Sequence, residues 1–297
     1  MAKKFNYVGI ISSHYNKPCI ANTVKYIESL LSKYTRTLVE NKTAKALDTR
    51  VVNTASLGYI AKNCDLAVIV GGDGSFLNAG RNLSLMGKNI PIVGINRGKL
   101  GFLTDIAPED ATRRLLPILK GNYCQEHRFI LQASIKRQRQ TYKKMVALND
   151  IVIDAGKHNK LFQMDININE HYAFNQRADG IIIATPTGST AHALSAGGSI
   201  MHPSLAAIVL VPMFSHSLSS RPIIIDAKSK IRLLISEHNS NPEPVLSFDG
   251  HTKAILRPND CVYIEKCKKY VTILHPLDYD YFSTLRSKLH WGKKLCS

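Results

Sequence analysis

Acidic side chains are scarce in this chain. Asp and Glu number 22 against 39 Lys and Arg, a formal charge of +17, which narrows the partners to nucleic acid, an anionic membrane surface or small polyanionic substrates. The basic residues are scattered, as in Arg113-Arg114, Lys136-Arg137, Lys143-Lys144, Lys268-Lys269 and Lys293-Lys294. No segment forms a basic arm, so nucleic acid is not an expected partner. Long apolar runs are also missing: none approaches the roughly 18 residues of a membrane span, so no membrane partner is expected either. The first eleven residues hold too short an apolar stretch for a signal-peptide core. Six cysteines, Cys19, Cys64, Cys124, Cys261, Cys267 and Cys296, include no Cys-x-x-Cys pair and no histidines at zinc spacing. That excludes a disulfide scaffold and a structural zinc site, and it predicts reduced thiols in a cytoplasmic protein.

What the chain does hold is a glycine turn set against a buried strand. Leu66-Ala67-Val68-Ile69-Val70 runs into Gly71-Gly72-Asp73-Gly74 and resumes as Ser75-Phe76-Leu77. A run of branched apolar residues reads as a strand covered on both faces, as in a parallel sheet flanked by helices. The glycines permit positive φ and leave backbone N–H groups open to an anion. Residues 75–86 have helical apolar spacing, so the loop opens on a helix N-terminus, which suits a phosphate. No lysine follows, which excludes a Walker A loop, and GxGxxG spacing is missing. Asp73 would repel phosphate unless it faces a hydroxyl to be oriented or deprotonated, or a metal ion bridging to the phosphates. The plainer alternative is a cap on the following helix.

A chain of 297 residues with 44% hydrophobic content is expected to form two domains. Up to residue 121 strands (7–11, 37–39, 66–70, 90–95) alternate with helices (20–34, 57–63, 75–86, 108–120), the pattern of an α/β open sheet. A second glycine-punctuated loop, Asn96-Arg97-Gly98, follows the strand at 90–95. Ligands of open α/β sheets bind outside the carboxyl ends of strands, so the two loops point to one phosphate site formed by Gly71, Gly72, Gly74, Asn96, Arg97 and Gly98. Residues 122–276 read as successive strands at 129–135, 144–154, 161–169, 180–184, 208–211, 222–225, 230–236, 245–248, 261–265 and 270–274. In the third of these Phe162, Met164, Ile166 and Ile168 alternate with polar residues, as in a half-exposed antiparallel sheet. Residues 277–297 return to helical spacing and are expected to pack on the first domain.

Two stretches of the β-rich region carry polar chemistry. Asn149-Asp150, between Val146-Ala147-Leu148 and Ile151-Val152-Ile153, can accept from two ribose hydroxyls or pair with an adenine edge, or can simply form a bulge. Residues 184–198 are small and hydroxyl-rich, too small to supply much core, but suited to a flat polar ligand pressed on backbone.

Taken together, Gly71-Gly72-Asp73-Gly74, Asn96-Arg97-Gly98, Leu148-Asn149-Asp150, Arg177-Ala178-Asp179-Gly180 and Thr185-Pro186-Thr187-Gly188-Ser189-Thr190-Ala191 resemble the NAD kinase family, the bacterial enzymes most closely. The resemblance covers nearly the whole chain in order, including Gly101-Phe102-Leu103-Thr104-Asp105 and Ser195-Ala196-Gly197-Gly198. It implies an N-terminal α/β domain, a β-sandwich and a last helix returning to the first domain. It implies transfer of the ATP γ-phosphoryl group to the 2′-hydroxyl of the adenosine ribose of NAD, with a divalent cation, usually magnesium, and a homodimer or homotetramer. By motif position Asp73 is the base, and Gly74, Asn149, Asp150, Arg177 and Asp179 contact NAD. Thr190, Ala191, His192, Ala193, Leu194 and Ser195 line the adenine pocket, and Lys160 occupies a variable basic position. His192 stands where the family usually has tyrosine, and His251 where it often has glutamine.

Two other functions share parts of this pattern. A lipid kinase of the diacylglycerol or sphingosine type would share the glycine loop but needs an apolar acceptor cleft, for which residues 185–195 are poor material. A non-catalytic NAD-binding sensor would have no use for Asp73.

Overall fold

The computed structural model describes residues 5–12, 18–45, 47, 53–97, 101–138, 140–156, 161–215, 217, 219–237 and 243–291. Gly98, Lys160, Lys293, Lys294 and Cys296 lie outside the described residues. The chain divides into two compact units, residues 1–127 with 271–297, and residues 128–270. Among the described residues no helix is long and apolar enough to cross a membrane.

The first unit alternates strands and helices: β1 (Tyr7–Ile11), α1 (Pro18–Leu31), β2 (Arg36–Glu40), α2 (Asn41–Lys45), β3 (Thr54–Ala55), α3 (Leu57–Asn63), β4 (Leu66–Gly71), α4 (Asp73–Met86) and β5 (Ile92–Asn96). A 3-10 turn, Pro108–Asp110, then leads into α5 (Ala111–Leu119). The strands pair in parallel in the order β3-β2-β1-β4-β5. Every residue of β4 is buried. Leu66, Val68 and Val70 pack on one face against Ile20, Val24 and Ile27 of α1 and Leu115 and Ile118 of α5. A strand covered this way must be apolar at every position, which is why its sequence shows no alternation.

The second unit is built from β6 (Cys124–Arg137), β7 (Gln140–Ala147), β8 (Asp150–Asp154), β9 (Phe162–Ile168), β10 (His171–Ala178), β11 (Gly180–Ala184), the short α6 (His192–Ser195), β12 (Ala207–Met213), β13 (Ile223–Asp226), β14 (Ile231–Ile235), β15 (Val245–Phe248) and β16 (Thr252–Ile255). The chain then follows β17 (Cys261–His275) back into the first unit and ends in α7 (Tyr281–Leu289). One sheet runs β13-β12-β11-β8-β15-β16, and the other holds β10, β9, β14 and β17 with β6 and β7. Alternate residues of the two sheets share one core: Ile151, Ile153, Ile181 and Ile183 from the first, Phe162, Met164, Ile166, Leu233 and Val262 from the second. Two sheets sharing an apolar interior form a sandwich. In α7, Tyr281 and Leu285 are buried, and Asp280 caps the helix by accepting from the Phe282 and Ser283 amides.

Three departures from the sequence pattern have physical causes. The run expected as one strand over 144–154 is two, β7 and β8, because Leu148 and Asn149 turn their amides to the Asp249 carboxylate. The strands expected at 261–265 and 270–274 are one strand, β17, continuous through exposed Lys268 and Lys269 while Cys267 stays buried. Residues 184–198 supply more core than their size suggests: Ala193 packs with Met201 against Val152, Ile182, Val209 and Val211 on the sheet's outer face. The edge strands β10 and β16 have no apolar alternation to announce them.

Candidate active site

Asp73 opens α4, yet its carboxylate does not cap that helix. Oδ2 accepts from the Phe102 amide at 2.7 Å, and Oδ1 accepts from the Leu103 amide at 3.1 Å and the Thr104 amide and hydroxyl, each at 3.2 Å. Two glycines make this possible. Gly71 has φ of +155° and a Cβ there would sit 2.6 Å from Ser75 Oγ, while a Cβ on Gly101 would collide with the Asp73 carboxylate itself. Charge-assisted bonds to backbone N–H groups are strong, so the carboxylate is held in one orientation.

At the carboxyl ends of the neighbouring strands β1, β4 and β5, polar atoms lack partners. Ser12 follows β1, Ser75 lies in the first turn of α4 after β4, and Asn96 ends β5. Ser12 Oγ, Ser75 Oγ and Asn96 Oδ1 are buried without a hydrogen-bond partner among the described residues. A buried polar atom left unpaired costs stability, so three at the carboxyl ends of one parallel sheet make this end the candidate ligand site. Beside them the Arg97 amide donates to Gly71 O, and Arg97 Nε donates to Thr23 Oγ1 at 2.6 Å and Cys19 O.

In the second unit a different aspartate repeats the device. Asp249, 8% exposed and at φ of +48°, accepts from three successive amides: Leu148 at 3.1 Å, Asn149 at 2.8 Å and Asp150 at 3.3 Å. Thr185 closes the turn from the other side, its hydroxyl donating to Leu148 O at 2.6 Å and its amide to Asn149 O at 2.9 Å. A Cβ on Gly188 would collide with the Asn149 backbone, so the 185–190 turn lies directly on that residue. Asn149 Oδ1 is buried and unpartnered among the described residues. Asp150 is 3% exposed, and burial together with the Asp249 charge pushes its carboxyl up to about 7.

Known proteins align with both halves. Residues 8–123 match the family model of the ATP-NAD kinase N-terminal domain, and residues 148–275 that of the ATP-NAD kinase C-terminal domain. The chain belongs to the NAD kinase family. It is 43% identical to an NAD kinase of Photorhabdus laumondii over 99% of this chain and 100% of that one. It is 42% identical to one of Marinobacter nauticus over 99% of each. Among solved structures, yeast NADH kinase complexed with NADH superposes with a TM-score of 0.88 at 25% identity, over 99% of this chain and 91% of that one. An Archaeoglobus fulgidus NAD kinase in complex with ATP shares the fold, with a TM-score of 0.74 at 23% identity over 96% and 98% of the chains.

The remaining family motif positions fall in different places. Gly72 is the N-cap of α4, and Gly74 stands in its first turn. Thr190, Ala191, His192, Ala193, Leu194 and Ser195 form a 3-10 turn and α6, with His192 and Ser195 exposed and Ala193 buried. His251 is exposed two residues beyond Asp249. Arg177 and Asp179 are not gathered with Asn149: β11 runs antiparallel to β8, with Ala184 opposite Asp150 and Gly180 opposite Asp154. Asp179 lies one residue further, where its carbonyl accepts from the Ala155 amide, so five strand residues put it about 17 Å from Asp150 along the sheet.

Several supporting residues escaped the sequence reading. Arg128, 4% exposed, donates from Nη1 to Thr187 Oγ1 at 3.2 Å and supports the 185–190 turn. Its only sequence signal is a lone arginine ahead of an apolar run. Asp249-Gly250 after a strand announces a turn, but not that its carboxylate gathers three amides. Ser12 gives no signal at all.

Proposed function

We propose that this protein acts as an NAD kinase, transferring the ATP γ-phosphoryl group to the 2′-hydroxyl of the adenosine ribose of NAD to give NADP and ADP. The observation that carries this reading is the Asp73 carboxylate, oriented at the mouth of α4 beside the open Ser12, Ser75 and Asn96 side chains. Hydroxyls of Ser12 and Ser75 and the amides of Gly72 and Gly74 can donate to phosphate oxygens. Asp73 orients the acceptor hydroxyl and takes its proton as the new O–P bond forms and the bond to the ADP oxygen breaks. Among the described residues Oδ2 accepts only from the Phe102 amide, so it keeps a lone pair for this. The protein's part is positioning and charge neutralisation, since phosphoryl transfer needs little covalent help.

A divalent cation fits this donor set as a companion of ATP. Among the described residues no group of three His, Cys, Asp or Glu side chains is arranged to hold a metal ion by itself, and magnesium is commonly held by one or two carboxylates with substrate phosphates and waters. Asp73 and Asn96 Oδ1 are the oxygen donors at hand, and the ion would neutralise charge on the transferred group. In the second unit, Asn149 pairs with the adenine edge while Asp150 accepts from ribose hydroxyls, and residues 190–195 flank the adenine. Arg177, near the end of β10, and Asp179, which precedes β11 at the end remote from Asn149, act at a boundary with a second copy in a homodimer or homotetramer. Exposed Ile223 and Ile224 on edge strand β13 favour such an assembly. The free thiols of Cys19, Cys64, Cys124, Cys261 and Cys267 suit the cytoplasm.

Incubation with ATP and NAD should yield NADP only when magnesium or another divalent cation is present, read by an NADP-specific dehydrogenase. Folded protein that forms no more NADP than a heat-killed control would overturn the reading.

A further inference from the structure

We infer that His275 is a positioning residue for phosphoryl transfer: through Asp105 it fixes the 101–106 segment, and through the amides of that segment the orientation of the Asp73 carboxylate. The inference rests on the kinase reading of Asp73. His275 is the last residue of β17 and only 1% exposed. Its Nδ1 lies 2.8 Å from Asp105 Oδ2, and its Nε2 lies 3.4 Å from Glu126 Oε2, an ion-pair distance rather than a well-made hydrogen bond. The ring stacks on Tyr279 with centroids 3.8 Å apart and planes 11° from parallel. Asp105, Glu126 and Tyr279 are the titratable groups packed against it, from the 101–106 segment, the start of β6 and the turn after β17.

Asp105 directly follows the three residues whose amides hold Asp73. The same segment is tied to β5 by Asn96 N donating to Ile106 O at 2.8 Å. It is therefore pinned at Asp73, at β5 and at His275, and the last pin gains its charge pairing only when the imidazole is protonated. Burial disfavours the imidazolium, but the hydrogen bond to Asp105 and the charges of Asp105 and Glu126 outweigh it and raise the His275 pKa above its ordinary value. A histidine raised in the folded state contributes stability that is complete below its unfolded pKa, near 6.5, and that is lost as pH rises through the folded value. Above that value the Asp105 carboxylate loses its cation and the segment loses an anchor. Asp73 then samples orientations that do not face the acceptor hydroxyl.

The test follows kcat and the NAD KM from pH 6 to 9 in the wild type, His275→Asn and Asp105→Asn, with hydrogen exchange of the 101–106 segment in each. The wild-type kcat should fall on the alkaline side as His275 loses its proton. His275→Asn places an amide near the former Nδ1 but carries no charge. It should lower kcat roughly 10-fold, leave KM within about 2-fold and abolish the alkaline limb, while the 102–104 amides exchange about 10-fold faster. Asp105→Asn should behave alike, and it carries the test if the histidine variant does not fold. An alkaline limb unchanged in the folded variants, exchange at 102–104 equal to wild type, or a loss confined to KM would each overturn the inference. If the wild type makes no NADP at any pH, the kinase reading fails, while exchange still decides whether His275 holds the segment.

Discussion

The two units use the same local device for opposite ends. In the first, Asp73 collects the amides of Phe102, Leu103 and Thr104; in the second, Asp249 collects those of Leu148, Asn149 and Asp150. Each exploits the preference of a carboxylate for several N–H donors. The difference is which partner remains open. At the strand ends on Asp73's side of the sheet, Ser12, Ser75 and Asn96 are unpartnered, and in the proposed kinase reading the segment serves to aim the carboxylate. Around Asp249 the open atom is Asn149 Oδ1, on the held loop, so the carboxylate serves to aim the segment. In the proposed reading one aspartate is the tool and the other is the clamp.

That contrast is most exposed by removing each charge in turn. Asp73→Asn keeps the size, but its NH2 faces one of the donors that the carboxylate satisfied, and it cannot take the acceptor's proton. The expected result is a fall in kcat of roughly 100-fold or more with NAD binding retained, as for loss of a transition-state interaction. Kinetics alongside a melting curve check it, and near-normal turnover would make Asp73 a structural pin like Asp249. Asp249→Asn should act through binding instead. With one amide donor turned against another, the 148–150 turn loosens and Asn149 is no longer presented. The NAD KM should rise about 10-fold with kcat changed less. An equal fall in kcat at unchanged KM would erase the distinction between tool and clamp.

The sequence was legible wherever a residue type answers to one local cause. The buried β4, the glycine turn and the alternation of β9 follow from apolar spacing and the conformational freedom of glycine, and the structure places them within a residue or two of expectation. The turn at Asn149 could be suspected from an amide and a carboxylate lodged in an apolar run. What could not be read were partnerships between distant segments. Asp249 lies 100 residues from Asn149 and His275 lies 170 from Asp105, and no local spacing reports either pairing. Residues 184–198 supply more core than their small side chains predict for a related reason: Ala193 is small, but a sheet face made of Val152, Ile182 and Val209 accepts a small residue at close range.

The finest test of the comparison lies in Asp150, the carboxyl group that shares the second clamp. Burial and the Asp249 charge raise its pKa to about 7, so near neutrality it is only half ionised. A carboxylate accepts from two ribose hydroxyls where a carboxylic acid accepts less well, so NAD should bind better as Asp150 loses its proton. From pH 6 to pH 7 the ionised fraction of such a group rises about 5-fold, and the NAD KM of the wild type should fall by a similar factor. Folding responds with the opposite sense. Because the folded pKa lies above the unfolded one, the protonated form's stabilising contribution is complete below about pH 4 and is lost as pH rises through 7. Asp150→Asn should flatten both responses, and Asp249→Asn should move both to lower pH by removing the neighbouring charge. KM measured at half-unit steps, with denaturant unfolding at pH 5 and 8, reads the two together. A KM that does not change between pH 6 and 7 in the wild type would mean that Asp150 does not accept from the ribose, leaving Asn149 as the functional residue of the held turn.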